Sequence, residues 1–160
     1  MEIQLTQQER KVLQDHMQHE EVCIQKYDQY AQKTSDPQLK SMFNQFAQQE
    51  RQHYNSLDQL LQGKQPATGG QSGQNQGQGR QTAHARKQTR QGGGAQGNNS
   101  DALMCRDAMM MEKFISDSYD NGIFDSTNPV VRQTLQHIQD EEQQHGEGLL
   151  NYLHQHGLQG

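Results

Sequence analysis

The strongest constraint on this chain is an internal repeat. Adding 92 to a position in the first part of the sequence gives a counterpart in the last part. Glu20 pairs in this way with Glu112, Tyr27 with Tyr119, Pro37 with Pro129, Glu50 with Glu142, His53 with His145, Leu57 with Leu149 and Leu61 with Leu153. Seven identities at one offset, among uncommon residue types, point to a duplicated unit. A unit of roughly 60 residues buries too little apolar surface by itself, so the two copies are expected to share one core.

Each copy reads as two helices. Leu5, Leu13, Met17, Ile24, Tyr27 and Ala31 recur at helical spacing, and Leu39, Phe43, Phe46, Leu57, Leu60 and Leu61 form a second stripe. Between them stands Thr34-Ser35-Asp36-Pro37, where Ser35 or Asp36 can cap and Pro37 suits a first turn. Gly63 supplies a stop. The pattern predicts helices over 5–33 and 36–62. In the second copy Ser100 and Asp101 offer a cap, followed by Met104, Ala108, Ile115, Tyr119 and Ile123. After a break at Asp125-Ser126-Thr127-Asn128-Pro129 comes Val131, Leu135, Ile138, Leu149 and Leu153, running out near Gly157. The expected domain plan is a first hairpin at 1–62, a linker at 63–100 and a second hairpin at 101–160, both hairpins forming one bundle.

The segment 63–100 is rich in Gln and Gly and nearly devoid of apolar residues, so it is expected to be disordered. It carries five basic residues and no acid, which leaves the rest of the chain at −10 within an overall −5. A linker of this length easily runs along helices of ~40 Å and returns the chain to the starting end. The fold class expected is therefore all-α: a four-helix bundle of two duplicated antiparallel hairpins joined by one long crossover. No apolar run approaches a membrane span, and the N-terminus has no secretory h-region, so synthesis in the cytoplasm without a signal peptide is expected. Cys23 and Cys105 lie in predicted helices outside any Cys-x-x-Cys pair and read as reduced thiols. The Met109-Met110-Met111 run reads as packing. Basic residues confined to the linker without interleaved aromatics argue against a nucleic-acid partner.

Six ionisable residues break the apolar stripes. Glu20 falls between Met17 and Ile24, Glu50 and His53 between Phe46 and Leu57, Glu112 between Ala108 and Ile115, and Glu142 and His145 between Ile138 and Leu149. All six are expected to point into the core at about the same height. Four buried carboxylates repel and lose hydration, a cost of several kcal/mol each in order of magnitude. Two divalent cations would neutralise them, with two imidazoles completing the ligand set. Glu-x-x-His places both side chains on one helix face, and one Glu on each of two helices plus Glu-x-x-His on each of the other two is the pattern of di-iron and di-manganese carboxylate bundles. The candidate ligands are Glu20, Glu50, His53, Glu112, Glu142 and His145, with Glu50 and Glu142 bridging two Fe or, alternatively, two Mn ions. A metal-free Glu–His hydrogen-bonded network is the competing reading. The neighbours Glu21 and Glu141 lack acidic counterparts and read as solvent-facing or as supports behind the ligands. His16, His19, His84, His137, His154 and His156 lack counterparts and read as surface or packing residues. Tyr27 and Tyr119 read as core packing in preference to hydrogen bonding.

These residues resemble the spore coat protein F family, a branch of the ferritin-like superfamily that includes rubrerythrin and bacterioferritin. The resemblance rests on Glu20-x6-Tyr27, Asp36-Pro37-x-Leu39 and Glu50-Arg-Gln-His53, and on their second copy: Glu112-Lys-Phe, Tyr119, Asn128-Pro129-Val-Val131 and Glu141-Glu142-Gln-Gln-His145. It covers both helical halves and leaves out the linker. It implies a spore coat location with other coat proteins as partners; a homo-oligomer is a further option, and the lack of a long apolar run argues against a membrane partner. Taken with the six candidate ligands read from the residues, the expected function is a structural coat protein whose bundle binds a dinuclear metal centre or, alternatively, a di-iron or di-manganese oxidoreductase acting on peroxide or dioxygen.

Overall fold

The computed structural model describes residues 2–67 and 95–158. They form four helices: α1 (Gln7–Lys33), α2 (Pro37–Leu61), α3 (Ala95–Asp125) and α4 (Pro129–Gln155). Helix α1 packs along α2 and α3 along α4, while α1 also faces α3 and α2 faces α4. Cross-hairpin contacts fix the directions. Tyr27 meets Glu112 while Tyr119 meets Glu20, and Gln49 meets His145 while Gln38 meets Gln155, so both facing pairs are antiparallel. The diagonal helices α2 and α3 therefore run the same way. The end of α2 and the start of α3 lie at opposite ends of the bundle, which is the long-crossover connectivity the sequence predicts.

Local chemistry sets the helix ends. Asp36 caps α2 by accepting from the Gln38 N–H, and Asn128 caps α4 by accepting from the Val130 N–H, each followed by a proline in the first turn. Thr6 and Glu9 form a capping box on α1. At the C-terminus of α2 the Lys64 N–H donates to the Gln59 carbonyl and the Gly63 N–H to the Leu60 carbonyl, with Gly63 at φ +75°. The same double bond closes α4 around Gly157 at φ +63°. Only a residue that tolerates positive φ ends a helix this way without steric cost.

One boundary differs from the sequence reading. Helix α3 begins at Ala95, so Ser100 and Asp101 lie inside it instead of capping it. The stretch 95–100 has no apolar stripe, and periodicity cannot reveal a turn that propagates from a helix already nucleated further along. Most of the expected linker, 68–94, lies outside the described residues, as does its expected disorder.

The core is two apolar clusters. One groups Tyr27, Leu39, Phe43, Cys105, Leu149 and Leu153 with their neighbours. The other groups Leu13, Cys23, Leu57, Leu60, Tyr119 and Leu135 with theirs. Cys23 and Cys105 are buried free thiols, one in each cluster. Met109 and Met111 pack against the core, whereas Met110 is exposed.

Glu9 links the two hairpins. Its buried carboxylate accepts from the Thr6 N–H of its own capping box and from the Thr127 and Asn128 N–H groups of the α3–α4 turn. Burial pushes its pKa up, but the backbone donors of Thr6, Asn128 and Thr127 outweigh burial and hold it below the ordinary 4.5. Glu9→Ala strands these buried donors and is expected to cost about 2–4 kcal/mol in urea unfolding. A lowered folded pKa means that the stabilisation is complete above pH 4.5 and drains away as pH falls through the folded value. The stability difference between parent and variant should therefore shrink below pH 4.5 and stay constant between pH 6 and 8.

Candidate metal centre

The layer between the two apolar clusters holds all six residues singled out by sequence. Glu20, Glu50, His53, Glu112, Glu142 and His145 are each at most 2% exposed. The helical spacing explains why: each sits one turn from an apolar neighbour on the inward stripe, so burying the stripe buries the acid as well.

Their atoms divide into two groups that share a pair of carboxylates. One is Glu20, Glu50, His53 and Glu142; the other is Glu50, Glu112, Glu142 and His145; within each, the candidate ligand atoms lie within 4.8 Å of one another. Glu50 turns Oε2 toward His53 Nδ1 at 3.0 Å and Oε1 toward His145 Nδ1 at 3.1 Å. Glu142 turns Oε1 toward His53 Nδ1 at 3.2 Å and Oε2 toward His145 Nδ1 at 3.5 Å. Each shared carboxylate thus presents one oxygen to each half. Glu20 lies beside His53 alone, at 3.6 Å, and Glu112 beside His145 alone, at 3.3 Å.

The histidines are oriented from behind. His53 Nε2 lies 2.5 Å from a Glu141 oxygen, and His145 Nε2 lies 2.6 Å from Gln49 Oε1. Both acceptors require a proton on Nε2, which in a neutral imidazole leaves the Nδ1 lone pair facing the carboxylates. Glu141 and Gln49 are counterparts in the repeat. Of the two readings left open for Glu141, the structure shows a support behind His53. The tyrosines correct a second expectation. Tyr27 and Tyr119 are fully buried, but they also donate their hydroxyls to Glu112 and Glu20, each reaching across to the other repeat. Nothing in sequence spacing shows this, because the partners lie on different helices. His16, read as a surface or packing residue, is buried and stacks flat on Tyr119 with ring centroids 4.0 Å apart. Burial, helped by His19, pulls its pKa down to about 4.

The electrostatics are those of a crowded acidic pocket. Burial raises Glu112 to about 8, with the Glu142 charge adding to the effect. Burial and the Glu20 and Glu50 charges raise Glu142 as well. Burial also raises Glu50, with the Glu20 charge adding to the effect, whereas the polar surroundings of Glu20, among them Glu50, His53 and the Tyr119 hydroxyl, outweigh its own burial and hold it low. Burial opposes charge on His145, yet the Glu112, Glu142 and Glu50 carboxylates hold its pKa up to about 11.

The donor set fits divalent metal. Glu20 Oε2, Glu112 Oε2 and both oxygens of Glu142 are buried without a hydrogen-bond partner. Orphaned carboxylate oxygens in a core are costly unless something else binds them. An ion held at about 2.1 Å spans opposite ligands about 4.2 Å apart, so each group can close on one ion through small side-chain shifts. The buried Glu and His residues can therefore hold metal, and carboxylate–imidazole sites accept either iron or manganese.

Comparisons with known proteins agree with this architecture. Residues 100–159, covering the second hairpin, match the Coat F domain. A solved two-domain protein from Anabaena variabilis, with DJ-1/ThiJ/PfpI-like and ferritin-like domains, superposes with a TM-score of 0.68 at 14% identity. The match covers 95% of this chain and 37% of that one, so the chain spans little more than a third of the solved protein. No curated protein matches the chain significantly. Among the described residues no helix is long and apolar enough to cross a membrane. The chain therefore has a ferritin-like four-helix fold, and its second hairpin is similar to the Coat F domain.

Proposed function

We propose that this protein is a spore coat component whose bundle holds a dinuclear centre of iron or manganese. The coat role is supported by the Coat F domain. The dinuclear reading is supported above all by Glu50 and Glu142, each of which offers one oxygen to either half of a pseudo-symmetric site. Glu20 and His53 would hold one ion and Glu112 and His145 the other, with Glu50 and Glu142 between them. Bound there, the two ions would supply Lewis acidity and one-electron redox chemistry.

The protein's own part is positioning. Glu141 and Gln49 hold the Nε2 protons, so Nδ1 is the ring atom that would lose its proton and turn its lone pair to an ion. Tyr119 and Tyr27 fix the rotamers of Glu20 and Glu112 and hold a hydroxyl proton on each. The apolar clusters on both sides exclude water, which strengthens every charge interaction in the layer. A redox role toward peroxide or dioxygen is the second reading, favoured by the groove that reaches Glu112 and Glu142 from the surface.

A fluorescent fusion expressed from its own promoter in a sporulating host tests the coat role. Signal is expected around the developing spore and in the extracted coat fraction. Uniform vegetative signal absent from the coat would reject it.

A further inference from the structure

Beside the centre the two repeats also differ in the side chains that flank the seam of each hairpin. A groove of about 360 Å³ runs between α3 and α4 and is lined by Glu112 and Glu142 together with Ser116 and Gly146. At the equivalent positions on the other hairpin stand Ile24 and Tyr54, offset by the same 92 residues and both half-buried. Tyr54 lies beside the Glu21 carboxylate of α1 and so bridges the α1–α2 seam. A Cβ added at Gly146 would meet nothing within 4 Å. The large side chains of the first repeat are thus replaced by a hydroxymethyl and a hydrogen in the second.

The groove has an apolar wall, with Met109 and Leu150, and an acidic side. Asp117 and Glu147 line it and outnumber the single Lys113. Glu112 Oε2 and both Glu142 oxygens are buried and unpartnered, so they can replace the water of an arriving ion. We propose that the α3–α4 groove is the route by which a divalent cation reaches the carboxylate centre. In this proposal Ser116 and Gly146 hold open on α3–α4 the path that Ile24 and Tyr54 close on α1–α2. This rests on the dinuclear reading above. An ion crossing a closed seam would have to wait for the helices to part, a slow local opening. An open groove removes that wait.

Stopped-flow absorbance of Co(II) uptake by the metal-free full chain separates the two ideas. In Gly146→Tyr the uptake rate is expected to fall at least about tenfold while the final cobalt stoichiometry stays that of the parent. Ser116→Ile, which copies the first repeat on the opposite wall, should slow uptake in the same direction. Adding Tyr54→Gly to Gly146→Tyr should restore fast uptake through the other seam. Parent-like rates in both Gly146→Tyr and Ser116→Ile, with full cobalt loading, would overturn the route and leave the metal centre standing. Failure of the parent itself to take up cobalt would overturn the centre and the route together.

Discussion

Glu50→Leu is expected to abolish binding of both metal ions and to leave the metal-free protein at least as stable as the parent. Glu50 belongs to both ligand groups and faces both imidazoles, so one substitution strips a donor from each. Losing the donor shared by both groups is expected to cost each ion at least about 10³ in affinity, enough that neither is retained on exchange into metal-free buffer. Glu20→Leu and Glu112→Leu each touch one group and should each remove one ion. Stability should move the other way. Removing one of four buried carboxylates relieves repulsion and desolvation, so unfolding of metal-free Glu50→Leu should be unchanged or up to about 3 kcal/mol harder. Cobalt titration with urea unfolding reads both effects. A variant that still binds two ions would remove Glu50 from the ligand set.

Glu141→Gln is expected to weaken the ion beside His53 by about 10–100-fold and to leave the ion beside His145 unchanged. The two imidazoles are placed alike, yet one donates Nε2–H to a carboxylate and the other to an amide. A carboxylate makes the ring a stronger donor, because it stabilises positive charge that develops on the imidazole. The parent should therefore bind two ions in separate steps, the tighter at His53. Glu141→Gln should merge the steps, and Gln49→Glu should tighten the weaker one. Identical binding steps in the parent would show that these two acceptors do not set affinity.

Much of this was legible in the sequence for a plain physical reason. Apolar periodicity of 3.6 and the 92-residue offset both survive in one dimension, so the four helices, the break before each proline and the six inward residues could be read directly. What escaped was set by approach between helices. Tyr27 lies on the same helix as Glu20, but its hydroxyl meets Glu112 from the other repeat. Gln49 and Glu141 looked unrelated because they differ in charge, although an imidazole N–H needs only an oxygen, which both supply. Glu9 belongs to no repeat pair of identical residues, and its partners lie 118 and 119 positions away, so its role as a tie was invisible. The Gly146–Tyr54 exchange was present in the aligned repeats. It acquires meaning only once both positions are seen to flank the seams that lead to the acids.

The most direct test is the metal content of the purified full chain after anaerobic dialysis against Fe(II) or Mn(II) and then metal-free buffer, measured by plasma mass spectrometry. Two ions per chain, falling to none in Glu50→Leu, is the result expected of a dinuclear carboxylate centre. A parent chain that retains no metal under either condition would contradict it and leave the six residues as a proton-sharing network in a structural bundle.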